Sequence, residues 1–138
     1  MTEQHDHFVS GKGESIMSTP KPNVVYFQVT GHLDKTIGRR FLDLVDRVVA
    51  VQSHFHAFCD FADTTGYDSE VRTMFTQWVA SHRIRTTVHI LVGSKIVSMG
   101  VSVANLALGG SLIGYTSRAI FDAAFRSAKM GLAGMRNR

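Results

Sequence analysis

The residues best suited to chemistry fall in the run Cys59-Asp60-Phe61-Ala62-Asp63-Thr64-Thr65-Gly66-Tyr67-Asp68-Ser69. It reads as a buried strand, a short polar turn and the start of a helix that continues to His82. A carboxylate beside a hydroxyl at a helix start has three uses. It can cap the first-turn amides, help hold an anion at the positive end of the helix dipole, or present a hydroxyl that accepts a phosphate. As a cap, Asp68 accepts a first-turn amide, worth ~1 kcal/mol, and Ser69 is an ordinary first-turn residue. As a phospho-acceptor, Ser69 gains about −1.5 to −2 charge, which the dipole favours while Asp68 and Glu70 repel it. Thr65, Tyr67, Asp68, Arg72 and, from the next strand-to-helix turn, Lys95 are the residues expected to meet a partner at this end.

Other constellations point to packing. Cys59 needs a base and an electropositive setting to be a nucleophile. It alternates with Phe55, Ala57 and Phe61, which predicts an inert buried thiol in a reducing compartment. His54 and His56 share one side of the same strand with Asp60, but a zinc site needs three or four converging ligands. Asp60, Asp63 and Asp68 could gather around Mg²⁺, yet a turn rich in Asp and Thr commonly satisfies its own backbone. Val92-Gly93-Ser94-Lys95 lacks the second glycine of a phosphate-binding loop. Ser94 capping a helix explains it. No metal and no cofactor is expected, and no acid, base and nucleophile set suggests an enzyme.

The elements that position these residues follow from hydrophobic period. Val24 to Thr30 is a β-branched and aromatic run stopped by Gly31, hence a strand. Leu33, Ile37, Phe41, Leu44, Val45 and Val48 form one helical stripe. His54 to Phe61 alternates as a strand, with Phe55, Ala57, Cys59 and Phe61 on one face and His54, His56, Phe58 and Asp60 on the other. Val71, Met74, Phe75, Trp78, Val79 and His82 mark the next helix. Thr86 to Val92 is a strand. The helix from Ser94 to about Leu108 is apolar almost all round, which predicts deep packing. Ser111 to Tyr115 is a short strand, and Thr116-Ser117 caps a last helix to Lys129. Alternation of this kind predicts one α/β domain with a mostly parallel sheet of four to five strands, because parallel neighbours need crossovers.

The 138 residues suffice for one domain with a proper core. The expected divisions are a flexible segment over 1–22 with at most one extra strand near Glu14–Met17, a domain over 23–130, and a frayed tail over 131–138. The formal charge of +4 is spread out, with no dense basic run and interleaved aromatics, so nucleic acid is not an expected partner. The most apolar stretch, Ile96 to Leu112, is shorter than the ~20 residues of a bilayer span. The N-terminus lacks a basic then apolar leader. The expectation is a cytoplasmic protein with no membrane span.

Three features together resemble the STAS family (sulfate transporter and anti-sigma factor antagonist), in particular its small stand-alone members, over roughly Val24 to Ala128. They are the strand ending Val29-Thr30-Gly31-His32-Leu33 before a long helix, Asp68-Ser69 opening a helix eight residues after Asp60, and a final helix that starts with Ser117, Arg118 and Ala119. The resemblance implies a STAS-like fold and a non-enzymatic regulatory module that binds a protein partner, anti-sigma or kinase-like. It also implies a serine, here Ser69, whose phosphorylation switches that binding. Glu70 and Val71 stand where the family has a small residue and then glycine. The alternative is a carrier or sensor of lipid-like ligands, with an apolar pocket between the sheet and the helices at 70–82 and 95–108. Trp78 and exposed strand edges leave a homodimer open.

Overall fold

The computed structural model describes residues 5–131. Eleven elements follow in chain order: β1 (His5–Ser10), β2 (Gly13–Lys21), β3 (Val24–Leu33), α1 (Lys35–Val49), β4 (Phe55–Phe61), β5 (Thr64–Tyr67), α2 (Ser69–His82), β6 (Thr86–Val92), α3 (Lys95–Ala107), β7 (Leu112–Tyr115) and α4 (Arg118–Lys129). They build one mixed sheet of seven strands in the order β1-β2-β3-β4-β6-β7, with β5 also paired to β3. The fold is α/β. The pairs from β3 onward are parallel, and the β1-β2-β3 pairs are antiparallel.

Two strands stand in the first 22 residues, where one at most is expected from the sequence. The polar composition of β1 has a physical reason: it is a largely exposed edge, so it needs no apolar face. The hairpin is held to α1 by side chains. Arg40 donates twice to Asp6, at 2.9 and 2.7 Å, and lies 4.0 Å over the Phe8 ring. Ser10 donates to Asp34, whose other carboxylate oxygen caps α1 at the Ile37 amide, 2.9 Å. The expectation for residues 132–138 lies outside the described residues.

A second difference concerns Gly31, where the sequence predicts that the strand stops. With φ of +84° it takes a conformation that side chains rarely adopt, and β3 continues through it to Leu33. That extension pairs with β5, so Thr64–Tyr67 is strand rather than turn. β4 and β5 therefore run in tandem along β3. Thr64, buried in spite of its hydroxyl, donates to the Val29 carbonyl at 2.9 Å.

The two faces of the sheet differ. One, with Phe27, Val29, Phe55, Ala57, Cys59, Phe61, Val88 and Ile90, is covered by α1, α2 and α3. Phe27 stacks on Phe41 of α1 with ring centroids 4.1 Å apart. The other face carries Val24, Phe58 and Leu91 beneath Phe121 and Ala128 of α4. The alternation expected in β4 is present, since Phe58 and Cys59 belong to opposite cores.

The α3 helix departs from expectation. It is not deeply packed: only Val97 and Gly100 are buried, while Ile96, Met99, Val103 and Leu106 are 59, 65, 50 and 84 % exposed. A helix that is apolar all round needs neighbours all round. Among the described residues α3 has a layer beneath it and none above.

Candidate functional site where the second helix begins

In a parallel sheet the carboxyl ends of the strands and the starts of the following helices gather at one edge, where ligands and partners commonly dock. Here Leu33–Lys35, Tyr67–Ser69, Val92–Lys95 and Tyr115–Arg118 occupy that edge. Asp34, Ser94 and Ser117 each cap their own helix, accepting from Ile37, Val97 and Ile120 respectively.

Asp68 behaves differently, and this corrects the expected cap. It occupies the N-cap position of α2 but makes no side-chain bond to that helix. Its carboxylate reaches across to the start of α1. One oxygen lies 2.7 Å from His32 Nε2, and the other accepts the Lys35 amide at 2.9 Å. The His32 contact, then the Lys35 amide, hold the Asp68 carboxyl below its ordinary range. The backbone supplies what capping there is: the Val71 amide donates to the Asp68 carbonyl at 2.9 Å, and the Asp68 amide donates to the Leu33 carbonyl at 3.1 Å.

The remaining predicted residues divide by exposure. Ser69 is exposed at the first position of α2, next to Glu70, whose carboxylate lies 3.7 Å from Lys35 Nζ. Thr65, Arg72 and Lys95 are exposed. Tyr67 is half-buried and turned under α3: a Cβ on Gly100 would lie 2.3 Å from the Tyr67 hydroxyl. That close approach sets Asp68-Ser69 beside α3.

Beneath α2 and α3 lies an apolar cavity of about 100 Å³ that reaches the sheet at Ala57, Cys59 and Phe61. Trp78 lines it as well. The indole is partly occupied within the chain: its Nε1 donates to Asp46 at 2.6 Å and its ring stacks on His82 at 4.1 Å. Burial, with a smaller contribution from Asp60, pushes the Cys59 thiol up to about 12. A thiol held that far from ionisation is a poor nucleophile.

The opposite face holds polar residues whose partners were not evident from spacing. Asp60, 1 % exposed, accepts from both terminal nitrogens of Arg118, at 2.7 and 3.1 Å, and from the Tyr26 hydroxyl at 2.8 Å. Burial alone would raise its carboxyl; the bonds from Arg118, Tyr26 and the Ala62 amide outweigh this and hold it low. Burial first, then Asp60, pushes the Tyr26 hydroxyl up. His56 Nδ1 lies 3.1 Å from His89 Nε2, and His89 Nδ1 lies 2.7 Å from the Tyr115 hydroxyl. His54 instead meets the Thr87 hydroxyl at 3.0 Å. Asp60, Asp63 and Asp68 do not converge: Asp60 binds Arg118, Asp68 binds His32, and Asp63 is exposed. Among the described residues no three His, Cys, Asp or Glu side chains are grouped to hold a metal ion.

Comparison with known proteins gives a fold. No protein-family model matches the chain, and no curated protein matches its sequence. Among solved structures it is similar to an uncharacterized protein of the DUF3478 family with a SpoIIAA-like fold from Shewanella loihica PV-4. The TM-score is 0.55 at 14% identity, over 94% of this chain and 93% of that one. It is also similar to the anti-sigma factor antagonist SpoIIAA in its unphosphorylated form, with a TM-score of 0.53 at 11% identity over 88% of this chain and 96% of that one. The chain thus has a SpoIIAA-like α/β fold. No helix among the described residues is long and apolar enough to cross a membrane.

Proposed function

We propose that this protein is a non-catalytic regulatory module that docks a protein partner across the start of α2 and the outer side of α3. The observation that carries the reading is the apolar stripe Ile96, Met99, Val103 and Leu106, exposed on the helix that Tyr67 and Gly100 place beside Ser69. Contiguous exposed apolar surface on a folded domain marks interaction sites. In this reading the exposed Thr65, Arg72 and Lys95, with the half-buried Asp68, supply the polar contacts to the partner, and an anti-sigma or kinase-like protein is the partner class. The likeness to an anti-sigma factor antagonist supports that class.

Ser69 is the control point of the reading. The residue is exposed and the Asp68 carboxylate is bound to the start of α1, so the α2 first turn has no side-chain cap to compete with a phosphate. The helix dipole favours a dianion there. The test compares Ser69→Glu, Ser69→Ala and the parent chain for partner binding and thermal unfolding. Ser69→Glu is expected to weaken partner binding at least fivefold while the unfolding midpoint stays within about 2 °C, the size of a surface change well under 1 kcal/mol. Equal affinity in all three proteins would remove the switch.

A second reading is favoured by the cavity beneath α2 and α3: a carrier or sensor that encloses an apolar ligand. Dry apolar cavities of ~150 Å³ take up molecules such as benzene; the chamber here, about 100 Å³ and lined mainly by carbon, is smaller and continues into the space between α2 and α3.

A further inference from the structure

The cavity beneath α2 and α3 has a distinctive opening. A second space of about 220 Å³ lies outside it, between the two helices. Arg72, Thr76 and Ala104 line both spaces, so they form the neck where the inner cavity meets the outer groove. The inner end is built from aliphatic and aromatic side chains, with Phe61, Val79 and Leu108 among them. The outer groove is mixed: α2 lines it with Arg72, Thr73, Thr76 and Gln77, and α3 with Val103, Ala104 and Ala107. Among the described residues Arg72 is the one charged residue lining either space. Among the described residues no carboxylate pairs with its guanidinium.

These features have one chemical consequence. An apolar chamber selects for a hydrocarbon by area removed from water. A cation at its mouth, with hydroxyl and amide neighbours and no counter-ion, selects for a negative charge at the end of that hydrocarbon. The guanidinium fork matches a carboxylate with two parallel N–H···O bonds. We propose that the α2–α3 groove binds a monoanionic amphiphile of the alkyl carboxylate class, its chain passing the neck toward Cys59 and its carboxylate held by Arg72. This inference rests on the apolar-ligand reading above and adds the charge and direction of the ligand. Arg72 is a binding residue in it, and no covalent step is involved.

Trp78 lines the inner cavity, so its fluorescence reports occupancy directly. The experiment titrates the full-length protein with octanoate and, separately, with octan-1-ol, and repeats both with Arg72→Gln and Arg72→Lys. The order of the two ligands is decisive. A carboxylate is costlier to remove from water than a hydroxyl, so a merely apolar chamber prefers the alcohol. The expected result is saturable binding of both, with octanoate roughly tenfold tighter, a difference that a single charge-assisted pair can supply. Arg72→Gln should bring octanoate to or below the alcohol, and Arg72→Lys should keep part of the preference. Arg72 is exposed, so folding of both variants is expected and is checked by thermal melting. An alcohol bound as well as octanoate, or an octanoate preference that persists in Arg72→Gln, overturns the assignment of Arg72 and leaves the apolar cavity standing. No response to either ligand, with no adduct in native mass spectrometry, overturns both.

Discussion

Asp60 and Arg118 show what one pair of side chains contributes. They are 58 positions apart, yet the guanidinium binds both carboxylate oxygens, at 2.7 and 3.1 Å. The sequence placed Asp60 at a strand end and Arg118 at a helix start; it did not join them, because the distance between them is fixed by the crossovers through β6 and β7. His89 was hidden for a related reason. Inside Thr86–Val92 it reads as one polar residue in a buried run, and its partners His56 and Tyr115 come from the neighbouring strands. Asp68 was legible as the residue at the start of α2, but its bonds to His32 and Lys35 depend on α1 and α2 starting side by side. Arg118→Ala leaves the buried Asp60 carboxylate with only Tyr26 and the Ala62 amide. The expected cost is about 2 kcal/mol at pH 7, since the guanidinium is half exposed and water can partly replace it. Without Arg118, burial governs Asp60 and its carboxyl rises. The variant then takes up a proton as pH falls, while the parent, whose Asp60 is held low, loses stability as pH falls through its depressed folded value. Urea unfolding at pH 7 and pH 4 should therefore show the deficit shrinking at the lower pH. A deficit that is constant or larger at pH 4 would mean that the pair does not set the Asp60 charge.

At the scale of elements, the hydrophobic pattern reveals α1, α2 and α4 as sustained stripes, α3 as a near-continuous apolar run, and β4 and β6 as buried runs. It missed β1, whose residues are mostly exposed and need not be apolar, and β5, which is four residues long and is held by main-chain pairing to β3. For α3 the sequence pattern defines the position of the helix and not its surroundings. Apolar composition reports what a helix can contact, and the number of layers over it is a property of the whole arrangement. Besides Val97 and Leu108 in the core and the Asn105–Leu112 hydrogen bonds, α3 is seated by a close approach of Gly100 to Tyr67. A Cβ at position 100 would stand 2.3 Å from the Tyr67 hydroxyl and 2.8 Å from its ring carbon. Gly100→Ala gains up to ~1 kcal/mol of helix propensity, but forcing the tyrosine or the helix aside costs about 1–3 kcal/mol. The net expectation is a loss of roughly 1 kcal/mol in urea unfolding, a balance of those two effects. Tyr67→Leu in the same chain removes the obstruction, so a double-mutant cycle should give a favourable coupling of about 1 kcal/mol or more between the two changes. Strict additivity of the two changes would show that α3 is not seated on Tyr67.

For the molecule as a whole, the sheet separates two kinds of interior. Three helices and the apolar cavity lie on one side; on the other, α4 covers the end near Asp60, and His54, His56 and His89 with Tyr115 continue the row beyond it. Burial, then the neighbouring His56, pushes His89 down to about 3; burial, then His54, lowers His56; burial lowers His54. The sign of the effect on stability follows. In the unfolded chain each histidine takes up a proton near pH ~6.5, while the folded chain resists doing so. The unfolded state therefore binds more protons, and stability falls as pH drops from about 6.5 toward the depressed folded values. One such group contributes up to ~1.4 kcal/mol per pH unit within that window. Carboxylates with ordinary values near 4 stay largely ionised in both states between pH 7 and pH 5, which makes that interval the one in which the histidines can be read. Thermal melting across it should show a steadily falling midpoint for the parent chain. In His89→Gln the residue no longer titrates and His56 loses its imidazole neighbour, so the slope should be shallower by close to one proton. The same slope in both proteins would place the acid sensitivity elsewhere, and a parent midpoint that does not move between pH 7 and pH 5 would mean that the histidine row takes up protons as readily folded as unfolded.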